Sequence, residues 1–319
     1  MQRQHFFKLT AACVLAGFTA LAAAQTKTTR ILVAFPPGGP VDFVARSLTE
    51  QLSKELGHTV LVENKAGANG AIAADTLLKA PADGQTLWLT SVGAVAINPA
   101  LYPALPYDPV RDLAPVSLVV NNVEMLVVNP NNPINGPQEF IAAAKQKPTT
   151  MASSGTGSVP HLAMELLADA TKSNLIHVPY KGAAPAITDV MAGHVDGFFG
   201  DIPGLMSGIR SGKLKPVALA STRRHPLFPD VKTFQEIGVT GVDSDNWYAL
   251  FTHKNIPAAD LERINQAVRR TLANEAVRSK LVASGAEPSA SSSAELSTLL
   301  KNDMAKWSRV IRDKKVKAD

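Results

Sequence analysis

The most constraining feature of this sequence is a junction that it uses twice. Ile31-Leu32-Val33-Ala34-Phe35 has the length and branching of a buried strand, Pro36-Pro37-Gly38-Gly39-Pro40 ends it, and residues 41–48 restart with helical spacing. Much later, residues 149–153 read as a strand and Ser154-Gly155-Thr156-Gly157 as a loop. Val159, Leu162, Ala163, Leu166 and Leu167 then form the apolar stripe of a helix. Ser158 is placed to cap that helix, Pro160 suits its first turn, and the glycines let backbone N–H groups gather ahead of it. First-turn N–H groups have no intrahelical partner and lie at the positive end of the helix dipole, so each junction is a candidate anion site. The plainer reading of either is a tight turn and a capped helix. Repetition adds the prospect of two lobes that each present a helix start to one small carboxylate.

The intervening segments repeat the alternation of strand and helix. Residues 57–64 read as a turn and strand, 71–79 as a small-residue helix, and 85–90 as a third strand after the Asp83-Gly84 turn. Such an order predicts a parallel α/β sheet with ligands beyond its carboxyl ends, at Phe35-Pro36, Asn64-Lys65 and Ser91-Val92-Gly93. Two apolar runs around Asn121-Asn122 read as a crossing into a second α/β lobe. Asn246-Trp247-Tyr248-Ala249-Leu250-Phe251 reads as the return, and everything after it as helical. The expectation is an α/β chain of two lobes, each a mostly parallel sheet flanked by helices. Residues 25–123 plus 248–319 form the first lobe and 124–247 the second, with two crossings that make a hinge.

Residues 1–24 carry Arg3 and Lys8, an apolar run, and an Ala22-Ala23-Ala24 end, the pattern of a secretory signal peptide. This predicts an exported, periplasmic protein. The only cysteine, Cys13, lies inside that run, so the mature chain would have no thiol, disulfide or Cys-based metal site. Loss of the leader's two basic residues takes the formal charge from +5 to +3, since the leader has no acidic residue. With few aromatics and no basic stripe, nucleic acid is not an expected partner.

Among single residues, Phe35, Pro36, Gly38 and Gly39 at the first junction, and Ser154, Gly155, Thr156 and Ser158 at the second, are the candidate ligand groups. Asp42, in a first helical turn, either complements the dipole or touches ligand. His161 is either a packed histidine or a ligand contact, and Ser91 and Tyr180 stand at strand ends. Asp201 ends an apolar strand that faces the expected cleft. Beside an anion it would repel, so it reads as an acceptor for a ligand amine or hydroxyl, or as a residue that orders water. No Gly-x-Ser-x-Gly elbow, His-Glu-x-x-His, phosphate-binding loop or dinucleotide fingerprint is present, so an exported hydrolase is the weaker reading and no catalytic residue, metal or cofactor is expected.

The sequence resembles the tripartite tricarboxylate transporter substrate-binding proteins, the Bug receptors, over essentially its whole mature length. The likeness rests on Phe35-Pro36-Pro37-Gly38-Gly39 with Asp42, Val62-Glu63-Asn64-Lys65-Ala66-Gly67, Pro81-Ala82-Asp83-Gly84, Leu105-Pro106-Tyr107-Asp108-Pro109, Ser153-Ser154-Gly155-Thr156-Gly157 with His161, and His177-Val178-Pro179-Tyr180-Lys181-Gly182. The resemblance implies a type II periplasmic binding protein, monomeric, that holds a small organic acid through backbone N–H groups, hydroxyls and water without an arginine clamp. It also implies delivery of that acid to the permease subunits of a tripartite membrane transporter. A receptor that passes its closed state to a signalling partner is the alternative. Lys65-Ala66 and Gly200-Asp201 depart from the family pattern, and the second bears on ligand choice.

Overall fold

The computed structural model describes residues 27–317, so the expected leader and Cys13 lie outside the described residues. The chain opens with β1 (Thr28–Val33), α1 (Pro40–Leu56), β2 (Thr59–Asn64), α2 (Ala71–Leu78) and β3 (Thr86–Ser91). Both β2 and β3 pair with β1 in parallel. Helix α1 starts where Pro40 presets the backbone and ends where Gly57 takes a left-handed conformation, φ 75°. Its apolar stripe of Val41, Val44, Ala45, Leu48 and Leu52 packs on Ile31, Val33, Leu87 and Leu89 of the sheet. The burial of this face, more than propensity, holds the helix in place.

A π-helical turn (Gly93–Ile97) and α3 (Asn98–Leu101) lead to β4 (Leu113–Asn122), which passes through Val123 into β5 (Glu124–Val128) of a second sheet. That sheet is completed by α4 (Pro137–Gln146), β6 (Thr149–Ser153), α5 (Val159–Thr171), β7 (Leu175–Pro179), α6 (Ala183–Ala192), β8 (Gly197–Asp201), α7 (Ile202–Arg210) and β9 (Lys215–Leu219). The chain returns in β10 (Asn246–His253) and closes with α8 (Ala258–Ala273), α9 (Glu275–Ser284), β11 (Glu287–Pro288) and α10 (Ser293–Lys314). The strand orders are β11-β4-β10-β3-β1-β2 and β7-β6-β8-β5-β9. Two α/β lobes joined by two strand crossings result, as expected.

Two details refine the sequence reading. Among the named strands, parallel pairing is confined to the three strands of each lobe joined by helices; β10 runs antiparallel to β3 and β4, and β5 antiparallel to β8 and β9. A strand that arrives from the other lobe enters at the cleft, where the parallel strands end, so it must run back against them. The segment after the return is not all helical, because β11 adds a two-residue edge to β4. Among the described residues, no helix is long and apolar enough to cross a membrane.

The lobes meet tightly. Val159 and Leu162 of α5 are buried in one apolar cluster with Val95, Leu101 and Trp307 of the first lobe. Asn69 Nδ2 donates to the Gly157 carbonyl at 3.0 Å, Tyr102 Oη to the Thr156 carbonyl at 3.1 Å, and Arg223 pairs with Glu287 at 2.8 Å.

Candidate ligand-binding cleft

Two adjoining cavities lie between the lobes and share Phe35, Pro36 and Ser154. The hinge-side cavity opens into about 420 Å³ of space and the second into about 690 Å³, open solvent included. The hinge-side cavity has apolar walls, including Phe35, Val41, Pro160 and Phe198, and strand-end polar groups at Ser91, Asp201, Asn246 and Tyr248. The second is lined by loop residues, among them Asn69, Tyr102, Gly155, Thr156, Tyr180 and Lys181.

Helix starts from both lobes converge on the hinge-side cavity: Gly39, Pro40 and Val41 of α1, Pro160 of α5, and Ala183 and Ala184 of α6. Each helix carries a proline in or near its first turn, which removes one N–H that would otherwise compete for a partner. The remaining first-turn N–H groups of α1 and α6 have no partner within their helices by geometry, and the helix dipoles add positive potential. Asp201 is the only ionisable carboxylate on the lining and no lysine, arginine or histidine joins it. An anion here would be held by backbone groups and hydroxyls. Lys181 supplies the one cationic side chain of the second cavity.

Several expected ligand residues turn out to build the loops. Asp42 is buried, and its carboxylate accepts from Gly38 N at 3.0 Å, Arg46 Nε at 2.9 Å and Asn64 Nδ2 at 2.9 Å. Asn64 Nδ2 also donates to the Phe35 carbonyl at 3.0 Å, so the ends of β1 and β2 and the start of α1 are tied together. Burial alone would raise the Asp42 carboxyl, but the Arg46, Gly38 and Asn64 bonds outweigh it and hold the group below its ordinary value. Ser158 caps α5 by accepting from His161 N at 3.4 Å. The His161 ring accepts from Gly157 N at 3.2 Å and stacks on His177 with centroids 3.8 Å apart and planes at 6°. His177 in turn bonds Ser153 Oγ at 2.6 Å. Gly38, Asp42, Ser158 and His161 line neither cavity; they shape the loops that do. Phe35, Pro36, Gly39, Ser91, Ser154, Gly155, Thr156, Tyr180 and Asp201 do line them. Tyr180 spends its hydroxyl on Asp189, at 2.6 Å.

The hinge holds a polar cluster that only the folded chain reveals. Glu124, first residue of β5, sits directly across the antiparallel pair from Asp201, last residue of β8. Tyr248 Oη and Asn246 Nδ2 both donate to Asp201 Oδ2, the amide at 3.0 Å, and Asn246 Nδ2 also reaches Glu124 Oε1 at 3.4 Å. Burial, then the charge of Asp201, pushes the Glu124 carboxyl well above its ordinary value. Burial likewise raises Asp201, against the bonds from Tyr248 and Asn246. Asp201 is legible in the sequence through its strand end, but Glu124, Asn246 and Tyr248 come from strands distant in sequence and carry no local signal.

Two α/β lobes, two strand crossings and a cleft lined by helix starts define the class of two-lobed binding proteins. The description "tripartite tricarboxylate transporter family receptor" fits residues 44–316, and the chain belongs to that family. The chain is similar to Protein BugT of Bordetella pertussis, 34% identical over 304 residues that cover 93% of each chain. Among solved structures it is similar to a Rhodopseudomonas palustris protein with adipate, 28% identical, TM-score 0.89, covering 93% of this chain and 100% of that one. It is also similar to MatC of Rhodopseudomonas palustris with bound malate, 31% identical, TM-score 0.83, covering 89% and 98% respectively.

Proposed function

We propose that this chain is a periplasmic receptor that captures a small carboxylate between its lobes and hands it to the permease subunits of a tripartite tricarboxylate transporter. Catalysis has no part in this reading. The observation that carries it is the convergence of the first turns of α1 and α6, one from each lobe, on a single cavity without a cationic side chain. Backbone N–H groups that donate to a carboxylate form charge-assisted hydrogen bonds, each contributing about 1.5–3 kcal/mol. Because the donors belong to different lobes, the acid favours the state in which the lobes meet. Residues 25–123 plus 248–319 would move against 124–247, with the hinge at Val123 and at the start of β10. Adipate and malate in the related structures support an organic acid as cargo.

Calorimetric titration of the purified chain with a panel of small mono- and dicarboxylates, hydroxy acids and amino acids tests this. The expected result is at least one acid with affinity in the micromolar range or better, equivalent to about 8 kcal/mol. Heat-silent titrations across the whole panel would remove the receptor reading.

A further inference from the structure

We propose that the hinge-side cavity selects acids whose second polar group is a hydrogen-bond donor, an ammonium above all, and rejects dicarboxylates whose second carboxylate would lie there. This rests on the carboxylate-receptor reading and narrows its substrate class. The cavity is bipolar: helix starts supply N–H groups on one side, and the strand ends at the hinge supply acceptors on the other. Asn246 is 4% exposed and lines the cavity. Its Nδ2 is already committed to Asp201 and Glu124, while its Oδ1 has no donor among the described residues. Asp201, 7% exposed, and Glu124, 0% exposed, likewise leave Oδ1 and Oε2 without a donor.

The two carboxyls hydrogen-bond each other, so one proton is shared between them, and Asn246 Oδ1 is left unmet. Sharing also leaves one negative charge with no cation on the lining. Buried acceptors without donors are unfavourable, and an unpaired buried charge more so. A ligand that brings an ammonium to this end balances the charge of the buried acceptors behind the lining, whereas a carboxylate adds a like charge. Asn122 Oδ1, at the end of β4 beside the crossing, is a further buried acceptor without a donor. The surplus therefore extends across the strand ends and is not a property of Asp201 alone.

The test is titration with acids matched in length: γ-aminobutyrate against succinate, and ε-aminocaproate against adipate. The amino acid of each pair that binds is expected to bind at least about tenfold more tightly. In the Asp201→Asn protein, with folding checked by its melting curve, that preference should shrink by about the same factor. Equal or tighter dicarboxylate binding by the unmodified protein overturns the inference, as does a preference that survives Asp201→Asn in a folded variant. If the variant does not fold, the unmodified protein's preference decides alone. Binding of both members of a pair without discrimination sinks this inference and leaves the receptor reading standing; binding of neither, together with a silent panel, sinks both.

Discussion

Asp42 shows how a charged residue can support a cleft without lining it. Its carboxylate fixes the Gly38 amide and, with Asn64, the turn that presents Phe35, Pro36 and Gly39. Asp42→Ala removes three hydrogen-bond acceptor contacts and is expected to destabilise the chain by about 1–3 kcal/mol in chemical denaturation. Acid affinity should fall with it, and unchanged stability would contradict this role. The pH dependence of stability tests the hinge carboxyls. Burial raises Asp201 to about 7 and Asp245 to about 6, in Asp245 with help from Asp243. The folded chain therefore keeps protons that an unfolded chain releases near pH 4, so this contribution is full at low pH and is lost as pH rises through the folded values. The ligand-free melting temperature should fall between about pH 5 and pH 8, and Asp201→Asn should flatten the slope. A melting temperature that rises over this interval in the unmodified protein, with the same slope in the variant, would contradict the assignment.

At the scale of elements, the cleft depends on backbones that approach closely. Gly182, just before α6, has φ 112°, and a Cβ there would lie 2.7 Å from Pro36 Cδ of the other lobe. Gly182→Ala should weaken acid binding by about tenfold or more, at a stability cost of order 1–3 kcal/mol from backbone strain. Calorimetry of the folded variant checks it, and undiminished affinity would show that this contact does not govern closure. The elements themselves were legible because apolar runs, prolines and cap residues agree with one another: the strand at Thr149–Ser153 has the bounds read from sequence, and the helix read over 71–79 spans Ala71–Leu78. What escaped has a physical reason. Two-residue β11 has no hydrophobic period to announce it and exists only by pairing with β4. The occupied amide of Gly38 and the stacking of His161 on His177 depend on partners whose distance the local pattern does not encode.

For the whole molecule, two independently built sheets are joined at one end and touch at the other. The crossings at Val123 and Asn246 carry the buried acid cluster, with the Arg223–Glu287 ion pair beside them, while Asn69 and Tyr102 clasp the second lobe through the Gly157 and Thr156 carbonyls. In the proposed function the cargo would complete this arrangement, its oxygens bridging helix starts that line one cavity. The most direct measurement is a crystal structure of the protein with its tightest-binding acid. Carboxylate oxygens are expected within hydrogen-bonding distance of first-turn amides of α1 and of α6, in the space shared by Phe35, Pro36 and Ser154. An acid bound outside that space, or held by one lobe alone, would contradict this expectation.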